Sequence, residues 1–176
     1  GYIIPKNDEF FSEYAEKDRL KIISNFTGSA GCAVVLKKKN YLFVDGRYTI
    51  QAGIESNKIF KIIKYENIIN CKIFRNLTLG IDPKLFTSQQ ILRYFEKYNK
   101  IKEINFNLVD AIFNYTSIKK KPFFSIEKDI IGEDFLIKIK KVSNYLKKNK
   151  LNYLFISAPE NVAWLLNIRG HDNPNS

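Results

Sequence analysis

Short apolar runs alternate with helical-period stripes along this chain, and Gly, Pro, Asn or Asp stand at the joins. Tyr2-Ile3-Ile4 is an apolar run stopped by Pro5, which predicts a buried strand. Lys6 to Tyr14 is polar and reads as a loop or short helix, with Asn7 or Asp8 placed to cap it. Lys17 to Asn25 sets Leu20, Ile22, Ile23 and Phe26 for an amphipathic helix that ends before Gly28. The most specific stretch follows, Asn25 to Tyr48, NFTGSAGCAVVLKKKNYLFVDGRY. Its apolar runs Val34-Val35-Leu36 and Leu42-Phe43-Val44 flank a basic turn at Lys37 to Asn40, which predicts a β-hairpin in the middle of a sheet. Gly28, Gly31 and Gly46 stand at its bends, where a positive φ or a close backbone approach costs least.

Arg47 to Ser56 predicts a helix with Tyr48, Ile50, Ala52 and Ile54 available for packing. Ile59 to Tyr65 alternates as a half-exposed strand, and Leu77 to Pro83 is a strand that ends sharply. Phe86 to Lys100 predicts a helix capped by Ser88, with Ile91, Leu92, Tyr94 and Phe95 on its apolar face. Ile101 to Phe106 is another alternating strand, and Asn107 to Phe113 a short helix with Leu108, Val109, Ile112 and Phe113 inward. This alternation over residues 1 to 113 argues for an α/β domain with a mixed sheet flanked by helices.

Tyr115 to Ile131 breaks the rhythm, because Lys119-Lys120-Lys121-Pro122 does not continue a helix. The predicted organisation is a first domain at 1–120, a linker at 121–131 and the beginning of a second, similar α/β domain at 132–176. Within the latter, Asp134 to Lys150 is an amphipathic helix carrying Phe135, Leu136, Ile139, Val142 and Leu146. Leu151 to Ser157 is dense in strand formers, Pro159 to Leu166 is a helix, and Asn167 to Gly170 turns out of it.

Composition adds limits. Apolar content of 45% over 176 residues suits a folded chain. No run of about 18 apolar residues predicts a membrane helix, and Gly1 to Pro5 lacks signal-peptide character, so a cytoplasmic location is expected. Cys32 and Cys71 lack CxxC spacing and read as buried thiols. The net charge of +11 invites a nucleic-acid reading, but only Arg19, Arg47, Arg75, Arg93 and Arg169 supply guanidinium forks among 29 basic residues. The lysine clusters at 37–39, 119–121 and 147–150 fall in turns, a linker and a helix end, as a solvated face does.

Candidate chemistry is sparse. A metal site needs several converging Asp, Glu and His ligands, and the chain has one histidine, His171. A Ser-His-Asp triad would have to recruit that same residue, and no GxSxG elbow occurs. Gly28-Ser29-Ala30-Gly31 lacks the lysine and spacing of a phosphate loop and reads as a tight turn. Asp45-Gly46-Arg47 has two readings: a corner capped by Asp45, or a device that presents Arg47 to a carboxylate. Trp164 reads as core, and Arg169 as the clamp of a loop.

Taken in order, YIIPKNDEFFSEY, NFTGSAGCAVV, YLFVDGRYTIQA, LGIDP, NLVDAIF and APENVAWLLNIRGHD resemble the N-terminal half of Xaa-Pro aminopeptidases of the creatinase/prolidase superfamily. FTGSAG, DGRY and WLLNIRG together carry most of that resemblance. It implies a creatinase-like α/β fold for the first domain and a similar second domain. It also implies an enzyme that removes the residue preceding proline from peptide N-termini, using two divalent metals, usually manganese. The ligands of those metals would lie in a C-terminal pita-bread domain, so the resemblance assigns no catalytic, cofactor or metal residue to these 176 positions. It assigns this region a part in homodimerisation and in walling the substrate entrance, with that catalytic domain and a second copy as partners. Asp45, Arg47, Tyr48, Arg169 and His171 are the candidates for substrate access or interdomain contact. Relatives often carry a His where this chain reads Glu9-Phe10-Phe11, and a small polar residue where His171 stands. Two other classes stay open: a stand-alone, non-enzymatic interaction module of the same fold, and a polyanion binder.

Overall fold

The hairpin centred on the Lys37 to Asn40 turn is the middle of the molecule's main sheet. In the computed structural model, which describes residues 1–11, 17–69, 72–113 and 121–170, the chain divides into two units, Gly1–Tyr115 and Thr116–Ser176.

The first unit holds β1 (Tyr2–Pro5), α1 (Arg19–Ser24), β2 (Gly31–Val35), β3 (Asn40–Val44), α2 (Thr49–Glu55), β4 (Phe60–Lys64), β5 (Thr78–Ile81), α3 (Ser88–Ile91), β6 (Lys100–Glu103) and α4 (Leu108–Ile112). The strands form one six-stranded sheet in the order β4-β3-β2-β1-β5-β6. β2 pairs antiparallel with both β1 and β3, through Ile4↔Ala33 and Ala33↔Leu42. The other three pairings are parallel, so the sheet is mixed, as the alternation of elements predicts.

Side chains alternate across the pleat and split the core in two. Ile3, Cys32, Val34, Tyr41, Phe43, Leu79 and Ile81 face one side, where Phe74 and Phe95 close over them. Tyr2, Ile4, Ala33, Leu42 and Val44 face the other, covered by Leu20 of α1, Phe26 just after it, Ala52 of α2 and Val109 of α4. Edge-on rings tighten the first cluster: Phe43 and Phe74 lie 5.7 Å apart, and Phe86 and Phe95 6.2 Å apart.

Local signals explain most helix ends. Asp18 accepts from the Lys21 amide at the start of α1, and Asn25 ends it with φ 64°. The cap of α3 is Thr87, not Ser88: Thr87 and Gln90 bond reciprocally in a capping box, which Ser88 is one residue too late to form. Beyond Ile91 the helix loosens into a π-helical turn at Leu92–Glu96.

Four packing expectations fail, the first at Leu92, which is 61% exposed in the π-helical turn after α3. Ile50 and Ile54 of α2 are 78% and 80% exposed, while Ala52 is buried. A spacing of two residues puts neighbours on different faces of a helix, so Ala52 and the two isoleucines cannot share one. Ile112 and Phe113 likewise face outward, and Val109 carries the contact of α4. Trp164 is 60% exposed rather than core.

The second unit contains β7 (Phe124–Ser125), α5 (Phe135–Lys148), α6 (Pro159–Leu166) and β8 (Ile168–Arg169). β7 and β8 pair antiparallel, Phe124↔Arg169 and Ser125↔Ile168. Leu151 to Ser157, expected as a strand, has no regular structure. A strand needs a partner's backbone, and among the described residues none pairs with it.

Candidate functional site

Three loops meet at one end of the first unit's sheet: the chain leaving β1, the Gly28 to Ala30 turn entering β2, and the Asp45-Gly46-Arg47 corner leaving β3. Between them lies a solvent-open cleft of about 270 Å³, lined by Lys6, Asn7, Phe11, Ser29, Asp45 and Tyr65 among others.

The corner folds as its sequence suggests. Asp45 caps the short turn Gly46–Tyr48, its Oδ1 accepting from the Arg47 amide at 3.0 Å and from Arg47 Nε at 2.9 Å. That pair of bonds, the Arg47 side chain first, holds the Asp45 carboxyl below the ordinary carboxylate range. The Arg47 side chain remains 73% exposed, its guanidinium 5.4 Å from the Tyr48 ring centroid. Asp45 therefore caps the corner, as the first reading of DGR has it, and also holds the arginine side chain.

Tyr48 links corner to turn. Its hydroxyl lies 2.9 Å from Ser29 Oγ, and its ring packs edge-on against buried Phe26 at 5.9 Å. Below the turn, the Thr27 amide donates to Glu55 Oε2 at 2.8 Å, the main reason the Glu55 carboxyl sits below its usual range. Gln51 Nε2 donates to both Thr27 Oγ1 and Glu55 Oε1 at 2.9 Å, so α2 carries the FTG turn on a polar bracket.

The loop after β1 is fastened by groups the sequence reading missed. Lys6 Nζ forms an ion pair with Asp18, the α1 cap. Asn7 Nδ2 donates to the Leu85 carbonyl at 3.0 Å. Arg19, 2% exposed on its side chain, binds Asp110 through Nε at 2.7 Å and Nη2 at 2.8 Å, and Glu9 through Nη2 at 2.7 Å. The Asp110 bonds foremost keep Arg19 charged despite its burial. Burial opposes ionisation of Glu9, but its bonds with Arg19 and its own amide outweigh it and leave that carboxyl lowered. No local motif announces this bridge, since Arg19 and Asp110 are 91 positions apart.

Among the described residues that line the cleft, no nucleophile is paired with a base. Ser29 Oγ faces the Tyr48 phenol rather than a base, and Lys6 is engaged by Asp18. Burial pushes the Tyr65 hydroxyl well above the ordinary phenol range, so it stays neutral. Among the described residues no three His, Cys, Asp or Glu side chains converge as metal ligands, so a dinuclear metal pair does not fit here.

Of the expected site residues, Asp45 and Tyr48 border one cleft-and-turn assembly and Arg47 stands beside it. Arg169 belongs to the second unit, where its Nη1 donates to the Ile168 carbonyl at 2.8 Å. His171 lies outside the described residues. A second hollow of about 460 Å³ is rimmed by Lys38, Lys39, Lys58 and Lys61. Its aromatic members Tyr41 and Phe60 are buried, which leaves no exposed stacking face beside those charges. Among the described residues no helix is long and apolar enough to cross a membrane.

Comparison with known proteins covers nearly the whole chain. Two family models, both described as creatinase/prolidase N-terminal domain, match residues 6–112 and 114–176. A probable Xaa-Pro aminopeptidase P of Pyricularia oryzae is 33% identical over 98% of this chain, which spans 31% of that protein. Xaa-Pro aminopeptidase 1 of Dictyostelium discoideum is 31% identical, again over 98% of this chain and 31% of its own length. The crystal structure of an X-prolyl aminopeptidase from Caenorhabditis elegans, described as a cytosolic enzyme with a di-nuclear active site, superimposes with a TM-score of 0.79. It is 27% identical and covers 98% of this chain, which covers 31% of it. The chain thus spans about three tenths of the length of these relatives.

Proposed function

The chain belongs to the creatinase/prolidase N-terminal domain family, and on that premise we propose that it is the non-catalytic N-terminal region of an Xaa-Pro aminopeptidase. The supporting observation is the continuous match over 98% of its length to the first part of such enzymes, one of them with a di-nuclear active site. The catalytic metals, manganese in our reading, sit in a separate C-terminal domain. The substrates are short cytosolic peptides with proline second. We take the domain division as a first domain at 1–120, a linker at 121–131 and the start of a second domain at 132–176, with β7 of that linker paired to β8 of the second.

The role of this region is to help dimerise the enzyme and to shape the approach to its metal site. Arg47 suits that role, being an oriented, largely exposed guanidinium beside the cleft that Asp45 lines. Arg169 and His171 are proposed for substrate access or interdomain contact as well. Residues 1–176 alone, supplied with Mn²⁺ and Ala-Pro-Ala, are expected to release no alanine; turnover in proportion to protein would sink the proposal. In the full-length enzyme, Arg47→Ala is expected to raise KM about fivefold, the worth of roughly 1 kcal/mol for an exposed charge contact. Unchanged KM, oligomeric state and stability in that variant would remove Arg47 from the role.

A further inference from the structure

The second unit buries a lysine. Lys138 of α5 is 7% exposed, and among the described residues no carboxylate pairs with it. Taking an ammonium out of water costs several kcal/mol unless polar partners replace the lost hydration. Here they do. Nζ donates to Asn167 Oδ1 at 2.6 Å and to the Trp164 carbonyl at 2.7 Å, and lies 4.1 Å from the Trp164 ring centroid. The Trp164 carbonyl belongs to the last turn of α6, where unsatisfied acceptors and the negative end of the helix dipole favour a cation.

The partner at 2.6 Å is the residue that turns the chain. Asn167 is the left-handed cap of α6, φ 54° and ψ 41°. Its Nδ2 donates to the Glu133 carbonyl at 2.9 Å, and its own carbonyl accepts from the Ile126 amide at 2.9 Å. The next two residues are β8, so Arg169 leaves a backbone fixed within two positions of Asn167. A neutral side chain of the same length would fill the space, but only the ammonium holds the α6 terminus and the Asn167 amide at once. Arg169 pairs its backbone with Phe124, and its guanidinium makes no ion pair among the described residues.

We propose that Lys138 is a positioning residue: through Asn167 it fixes the α6–β8 turn and so the direction in which Arg169 is presented to the peptide substrate. This rests on the entrance role given to Arg169 above. It reaches further, because it names a buried residue that never touches substrate and still sets substrate affinity.

The test uses the full-length enzyme and Ala-Pro-Ala. Lys138→Met, Asn167→Gly and Arg169→Ala are expected each to raise KM about fivefold to tenfold with kcat within twofold. Lys138→Arg keeps the charge and should recover most of the loss. The double variant Lys138→Met/Arg169→Ala should be no worse than Arg169→Ala, since residues acting through one another are not additive. Amide exchange at Ile168 to Gly170 should speed up at least tenfold in Lys138→Met. Unchanged exchange there, or additive KM effects, overturns the positioning role; if Lys138→Met does not fold, Asn167→Gly decides by the same readouts. An Arg169→Ala enzyme with ordinary KM but altered exchange in Lys138→Met refutes the entrance reading instead, and the substrate part of this proposal with it.

Discussion

Arg19→Met is the sharpest probe of how the first unit holds its cleft. Methionine keeps the length and apolar stem of the arginine and deletes the guanidinium. Three charge-assisted hydrogen bonds disappear, two to Asp110 and one to Glu9. Each such bond is worth about 1.5–3 kcal/mol when well buried. The partners are not well buried: their side chains are 26% and 38% exposed, so water recovers part of their solvation. The guanidinium's own desolvation cost is also removed. A net loss of about 3 kcal/mol follows. For a unit near 115 residues that is roughly a 10 °C drop in melting temperature.

The assay is thermal and urea unfolding by far-UV circular dichroism, with peptide-level hydrogen exchange to read the first unit separately. A second arm uses pH. The folded carboxyl of Glu9 lies below its ordinary value of 4.5. Its contribution is therefore present above about pH 4.5 and is lost as pH falls through the folded value. Arg19→Met should remove that acid dependence, so the gap between variant and wild type should narrow below about pH 4.5. A melting temperature within about 2 °C of wild type at pH 7 would refute the reasoning, as would a gap that stays constant into acid.

Two further outcomes test the packing around the hairpin. A Cβ on Gly28 would overlap the ring of fully buried Phe26, whereas one on Gly46 meets nothing within 4 Å; Gly28→Ala should lose about 1–3 kcal/mol and Gly46→Ala should gain a few tenths, both read as urea midpoints. Burial pushes the Cys32 thiol up to about 12, so the stability it contributes is complete below the unfolded value near 8.5 and declines as pH rises toward the folded one. At pH 8 iodoacetamide should label Cys32 only after unfolding, as mass spectrometry of its peptide would show.

The hairpin was legible because everything that makes it is local. Two apolar runs, a basic turn and a capping aspartate lie within one stretch, and strand alternation assigns each residue to its face. The glycines were legible as bends but not in their reason. None of those described has a positive φ, and Gly28 is needed because Phe26 fills the space beside it. The cleft was only half legible. Asp45 and Tyr48 announce themselves through the corner, while Lys6, Asn7 and the Arg19 bridge depend on partners 10 to 91 residues away. No propensity or spacing reports such a distance.

Leu151 to Ser157 shows the converse limit. Its residues are strand formers, yet Tyr153 and Phe155 are 86% and 87% exposed and the backbone is unpaired among the described residues. Strand propensity measures fit to a pleated, half-buried surface, so it has no force without that surface. An isolated extended segment gains neither ladder bonds nor apolar burial to offset the entropy of ordering it. Tyr153 and Phe155 are thus left uncovered. The second unit's own helices do not supply that cover: α5 and α6 bury only Lys138 and Ala163. The contrast with the first unit is physical. There β2 and β3 are buried because each has a neighbour on both edges and a packed layer on both faces. The same composition gives core in one unit and surface in the other, and the difference lies in the neighbours.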